Sequence, residues 1–205
     1  MKSPDTIRVF IAVPLPPDVI ERLKPPVDEL RAVCRTAGLD AGWSRPEGWH
    51  LTLKFLGPVA SDRIDPLLER LPGCTVRHDA FSIHLTGFGA FPSARRPRVL
   101  WIGLETDDGA ASLAALAREI DEVTAPLGHP PEERPFSPHL TVARLNSGGK
   151  PPRAVPELTR WLDGHRADRL AAVRVDRVAL MRSDPRPGGP VYTPVGFFPL
   201  GEEIR

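Results

Sequence analysis

The sequence predicts an α+β fold of two lobes, in which two antiparallel-rich sheets form a central groove and the helices pack outside, all within a single domain spanning 1–205. Three observations lead there. Strand-like runs and helical stripes alternate in an order too mixed for a doubly wound parallel sheet. The four-residue pattern His50-Leu51-Thr52-Leu53 returns 89 residues later as His139-Leu140-Thr141-Val142, which makes the chain weakly duplicated. Finally, side chains in a strand alternate faces, so each copy has an apolar face and a face carrying His and Thr. Two such strands on either side of a groove bring two imidazoles and two hydroxyls together.

Taken in order, Ile7-Arg8-Val9-Phe10-Ile11-Ala12-Val13 is rich in β-branched residues and reads as the first strand, ended by Pro14, Pro16 and Pro17. Asp18 to Arg35 carries Val19, Ile20, Leu23, Val27, Leu30 and Val33 at helical spacing, and Pro25-Pro26 within it predicts a kink or two short helices. Gly38 to Gly48 reads as loop and Trp49 to Leu56 as the first motif strand, closed by Gly57-Pro58. Ser61 is an N-cap candidate for a helix through Leu71, stopped by Pro72-Gly73.

Phe81 to Phe91 and Val99 to Leu104 read as two strands joined by the basic segment Pro92 to Arg98, either a solvated hairpin loop or a cationic rim for phosphate. Ala110 to Ala125 is the strongest helix, with Leu113, Leu116, Ala117, Ile120 and Val123 on one stripe. The second motif strand runs His139 to Leu145, and Asn146 to Arg153 is a Gly/Pro-rich connection. A short helix near Glu157 to Leu162, a strand from Ala172 to Arg182, a turn at Asp184 to Pro190 and a strand around Tyr192 to Leu200 complete the chain.

Composition narrows the function. A net charge of +1 gives no global attraction to a polyanion, so nucleic-acid contact must come from local arginines, and a strand end or nucleotide fits better than a long duplex. Cys34 and Cys74 match neither a metal-ligand spacing nor a disulfide framework, and reduced thiols in a cytoplasmic protein are expected. The N-terminal residues hold no signal-like apolar segment, and no run approaches membrane-spanning length. A monomer is expected.

A third H-x-T triplet, His84-Leu85-Thr86, precedes Gly87, which breaks the alternation, so it is read as structural or solvent-facing. Three triplets exceed the roughly 0.3 that six histidines and random placement would give. His50 and His139 lack the i, i+4 spacing or clustered carboxylates of a metal site, so no metal and no cofactor is expected. Two neutral-range imidazoles can instead divide acid and base work.

These residues resemble the 2H phosphoesterases, and among them the bacterial and archaeal RNA 2′,3′-cyclic phosphodiesterases, also called 2′-5′ RNA ligases. The resemblance rests on Arg8 to Val13, His50-Leu51-Thr52-Leu53-Lys54-Phe55-Leu56-Gly57, Gly87 to Pro92, Arg96 to Trp101, Phe136 to Arg144, and Tyr192. It covers most of the chain in the expected order. It implies an enzyme that opens a 2′,3′-cyclic phosphate at an RNA end or on a nucleotide, leaving a 2′-phosphate, with His50 as acid and His139 as base. Thr52 and Thr141 would hydrogen-bond the non-bridging oxygens, Arg144 would bind phosphate, and Phe55 and Tyr192 would border the substrate. Joining the cyclic end to a 5′-hydroxyl, cleaving a 2′-5′ linkage, and non-catalytic binding of RNA ends are the alternatives. One geometric objection stands: Phe55 and Arg144 each follow their histidine by five residues, an odd offset that puts them on the opposite strand face unless a bulge intervenes. Packing is the expected role of Phe10.

Overall fold

The computed structural model describes residues 5–146 and 155–201. Among these, the first sheet has the order β3 (His50–Ala60), β1 (Thr6–Pro14), β8 (Arg177–Asp184), β9 (Val191–Pro199). The second has the order β2 (Ala41–Trp43), β6 (Leu140–Leu145), β5 (Val99–Leu104), β4 (Phe81–Phe91), β7 (Arg169–Val175). Every pairing is antiparallel. The two motif strands therefore belong to different sheets, as the duplicated pattern predicts.

Among the described residues, four α-helices cover the outer sides. α1 (Pro17–Thr36) buries Val19, Leu23, Val27, Leu30 and Cys34, an inward stripe that packs beside β7 and α4 (Pro156–Gly164). α2 (Ile64–Thr75) packs on α3 (Asp108–Thr124) and against β8 and β9, while α3 also reaches β3 and β4. The Asp107 carboxylate starts α3 by accepting the Ala110 N–H at 2.8 Å, the N-cap geometry that satisfies one orphan donor. One cluster of buried side chains, including Ile11, Leu51, Leu67, Ile83, Leu100, Leu116 and Val178, runs beneath both sheets.

Several elements depart from expectation. Pro25 and Pro26 sit inside a single continuous α1 rather than between two short helices; Glu21 and Arg22, whose carbonyls lose their i+4 donors, lie on the exposed side, open to solvent. Ser61 is not an N-cap: its hydroxyl donates to the Asp5 carbonyl at 2.9 Å, and a 3-10 turn, Ser61–Arg63, precedes α2. α2 continues through Pro72-Gly73 to Thr75, and β3 continues through Gly57-Pro58 to Ala60. The single strand expected over Ala172 to Arg182 is two, because the chain leaves the second sheet after Val175 and enters the first at Arg177. The buried positions record the break, passing from Val173 and Val175 to Val178 and Leu180. Residues 147–153 of the expected Gly/Pro-rich connection lie outside the described residues.

Candidate active site

The stretch expected to be loop before His50 is what joins the two halves. β2 pairs with β6, and Ser44 follows it: its N–H donates to the Val142 carbonyl, and its hydroxyl lies 2.8 Å from the Thr141 carbonyl and 2.9 Å from that of Val142. The buried Trp49 indole donates to the Ser44 hydroxyl at 3.2 Å. Between them a 3-10 turn, Pro46–Gly48, redirects the chain into β3, so the backbone ahead of the first histidine is tied to the strand of the second.

The two histidines are held alike. His50 Nδ1 lies 2.7 Å from the Gly48 carbonyl and His139 Nδ1 lies 2.8 Å from that of Ser137, in each case two residues earlier. A carbonyl only accepts, so both Nδ1 atoms carry the proton and both Nε2 atoms are left free for chemistry. Rings fix each imidazole further. His50 rests against Phe10 at 4.7 Å between centroids and meets the Tyr192 edge at 5.0 Å; His139 meets Phe91 edge-on at 5.0 Å, and Phe91 contacts Trp101 at 5.1 Å. Gly48 permits the Tyr192 approach, since a Cβ there would stand 2.9 Å from the tyrosine ring. Gly48 and Tyr192 also line a cavity of ≈ 260 Å³ with Trp43, Arg45, Glu47 and Pro190.

A bulge resolves the odd offset in both strands. In β3, Thr52 pairs with Ala12 and Lys54 with Ile11, leaving Leu53 unmatched; Phe55 then pairs with Phe10, two residues from Ala12 and so on the same face. Phe55 therefore shares the face of His50 and Thr52, and is 63% exposed rather than core. In β6, Thr141 pairs with Trp101 and Ala143 with Leu100, leaving Val142 unmatched, so Arg144, opposite Val99, returns to the Thr141 face. Each bulge adds the one residue that corrects the parity. Phe10 is buried, as expected, yet its ring is the floor beneath His50.

Burial pushes the His50 pKa below the ordinary imidazole value, the Gly48 bond acts the other way, and the charge of nearby His139 lowers it again. Burial raises the Tyr192 phenol, against a lowering by the Arg144 guanidinium. Among the described residues the hydroxyls of Thr52 and Thr141 have no protein hydrogen-bond partner. Two groups, Cys74-His78-Glu119 and His84-Glu105-Asp107, place three metal-ligating atoms close together, and neither includes a motif histidine. His84 instead bonds the Asp107 carboxylate at 2.9 Å at the start of α3, the structural role expected of the third triplet.

This architecture has known relatives. Residues 16–187 match the 2′-5′ RNA ligase superfamily. The chain belongs to that superfamily. It is 32% identical over 195 residues to the RNA 2′,3′-cyclic phosphodiesterase of Methanothermobacter thermautotrophicus, a match covering 95% of this chain and 99% of the relative. It is 33% identical over 185 residues to the protein of the same description from Aquifex aeolicus, covering 90% of each. Among solved structures, TT0787 of Thermus thermophilus superposes with a TM-score of 0.71 at 28% identity, over 96% of this chain and all 100% of that one. E. coli LigT complexed with 3′-AMP shares the fold, with a TM-score of 0.70 at 24% identity over 97% of this chain and 100% of the other.

In this member of the superfamily, sequence reasoning missed the supports of the motif residues rather than the motif residues themselves. Ser44 and the Gly48 and Ser137 carbonyls give no sequence signal, because their role is set by backbone position. Lys54 did offer one. A lysine where the bulge turns the chain inward must find a buried partner, and it reaches Asp121 on α3.

Proposed function

We propose that this protein hydrolyses a 2′,3′-cyclic phosphate at an RNA end or on a nucleotide to a 2′-phosphate, without a metal, with His50 and His139 as its acid–base pair. One observation carries the reading: two histidines, one opening β3 and one immediately before β6, are both fixed through Nδ1, and among the described residues neither Nε2 has a protein partner. One imidazole takes a proton from water as the water oxygen bonds to phosphorus. The bond from phosphorus to the ribose 3′-oxygen breaks, and the other imidazolium protonates that oxygen. The Thr52 and Thr141 hydroxyls donate to the non-bridging oxygens, and Arg144 balances their charge. Phe55 and Tyr192 border the nucleoside.

The resemblance gives the proton to His50. Burial acts against it there, and an anionic phosphodiester bound beside the ring acts for it. The same site could run in reverse, with a 5′-hydroxyl replacing water to form a 2′-5′ linkage. Water at about 55 M outcompetes a weakly held second RNA end, which favours hydrolysis.

The test is incubation of EDTA-treated protein with a short RNA bearing a 2′,3′-cyclic phosphate, the product end being identified by phosphatase sensitivity and mass. Conversion to a 2′-phosphate is expected. A 3′-phosphate product would reverse the regiochemistry, and a metal requirement or absence of conversion by folded protein would defeat the two-histidine reading.

A further inference from the structure

The Cys74-His78-Glu119 group lies in the outer helix layer, away from the motif strands. Cys74 is in the last turn of α2. The chain keeps turning beyond it, because the Arg77 and His78 N–H groups donate to the Cys74 and Thr75 carbonyls at 3.2 and 3.1 Å. That continuation returns His78, four residues on, to the side of Cys74, the i, i+4 relation that puts two side chains on one face. α3 packs on α2 and supplies Glu119 from 41 residues further along, which is why sequence spacing does not show the group. A sulfur, an imidazole nitrogen and a carboxylate oxygen, one from each residue, all lie within 4.8 Å of one another.

The surroundings orient these atoms as outer partners orient metal ligands. Arg77 Nε donates to Glu119 Oε1 at 2.6 Å and its terminal nitrogen bonds the same oxygen, which leaves Oε2 facing His78 Nε2 at 2.5 Å. A ligating carboxylate is characteristically held in this way by a hydrogen bond. Cys74 is fully buried, whereas the His78 and Glu119 side chains are 16% and 22% exposed, so the group has an apolar floor and a rim that reaches water. Burial and the Arg77 charge lower the His78 pKa and keep the ring neutral, the form that ligates metals. Burial raises the Cys74 thiol, as does the exposed Glu122 carboxylate, whose negative charge favours a cation here against Arg77.

The donor set selects the ion. Magnesium and calcium take oxygen ligands, whereas a thiolate with an imidazole and one carboxylate suits zinc, which holds four ligands in a tetrahedron. Bonds of about 2.0–2.3 Å put neighbouring donors roughly 3.3–3.8 Å apart, so the imidazole and carboxylate must part, and the sulfur close in, by only about 1 Å each. We propose that Cys74, His78 and Glu119 form a zinc site, with water in the fourth position, that fastens α2 to α3. On binding, the Cys74 thiol releases its proton to solvent and the His78 ring passes from the Nε2–H to the Nδ1–H tautomer, freeing Nε2 for the ion. α2 packs against β8 and β9 while α3 reaches β3 and β4, so the ion ties together helices that lie on strands of both sheets.

The test titrates EDTA-treated, reduced protein with Co²⁺, a coloured substitute for zinc. A thiolate-to-cobalt charge-transfer band with tetrahedral visible bands, saturating at one equivalent and displaced by Zn²⁺, is expected. Cys74→Ser should abolish the charge-transfer band. His78→Gln changes a side chain at the rim and serves if the buried Cys74→Ser variant does not fold; it should weaken binding by more than the roughly 10–100-fold that loss of an outer partner costs. Zn²⁺ at about a hundredfold excess over Kd should raise the wild-type Tm by about 5–10 °C and leave that of His78→Gln nearly unmoved. His50→Ala should keep the cobalt bands, because the motif histidines are not ligands. Absence of the charge-transfer band in folded wild type, a band that survives Cys74→Ser, or binding that depends on His50 in place of His78 would overturn the site.

Discussion

Lys54 lies one residue past the unmatched Leu53 and one before Phe55, and it points into the core. Its ammonium bonds Asp121 Oδ1 and the Pro130 carbonyl, the latter at 2.9 Å, while Asp121 Oδ2 accepts the Glu132 N–H at 3.3 Å. The lysine side chain is 1% exposed and its partner 20%. Lys54→Met keeps the stem and removes the charge, leaving Asp121 with one backbone donor and a partial view of water. Severing a buried pair costs about 3–5 kcal/mol, and the residual solvation of Asp121 places this case near about 3 kcal/mol. For a chain of this size that lowers Tm by about 6–12 °C. Adding Asp121→Asn removes the stranded charge and keeps an acceptor for Glu132, so the double variant should recover most of the loss. Thermal and urea unfolding followed by circular dichroism measure both. A Tm for Lys54→Met within about 2 °C of wild type, or a double variant no better than the single, would refute the claim that cutting this buried pair strands a charge and destabilises the fold.

His50→Ala and His139→Ala should each lower turnover of a cyclic phosphate roughly 10²- to 10⁴-fold with unchanged circular dichroism; wild-type rates in either would remove that histidine from the mechanism. Gly89→Ala drives a methyl into the Trp101 ring and should cost about 1–3 kcal/mol in urea unfolding, whereas a neutral result would mean the indole moves aside freely. The His50 pKa is lowered from 6.5, so the unfolded chain takes up the proton first; the stability tied to neutral His50 is present above that value and lost as pH falls below it. The stability advantage of wild type over His50→Gln should therefore shrink between about pH 7 and pH 5, and a constant difference would contradict burial of the ring.

How much is legible in the sequence depends on the range of the interactions involved. β4 and β5 can be read to the residue, because alternation and flanking Pro or Gly residues are local signals. The motif faces are equally plain, since period-two geometry alone puts His and Thr together. The continuous α1 is not, because whether Pro25-Pro26 ends a helix depends on whether the carbonyls that lose their donors face solvent. Nor is the crossing at Asp176, where one apolar run serves two sheets and the sole clue is a change of parity. Ser44 is invisible for a third reason: its contacts, to carbonyls 97 and 98 residues away, exist only once β2 has joined β6.

The two bulges connect duplication to chemistry. A strict strand delivers to one face only residues an even number apart, so a motif of the form H-x-T reaches a groove and a residue five past the histidine does not. One unmatched residue in each strand, Leu53 and Val142, changes that, and each half then offers three groups in place of two. The third group differs between halves: an exposed phenyl ring in the first, a guanidinium in the second. The His and Thr groups are thus symmetric between the halves while the fifth residues are not. On the proposed function this asymmetry gives the substrate its orientation, with the charged phosphate drawn toward Arg144 and an aromatic surface at Phe55. On the same proposal, a symmetric pair of imidazoles would activate water on either side of the cyclic phosphate equally well, and the unlike fifth residues would make one side the entry for water and the other the exit for the ribose oxygen.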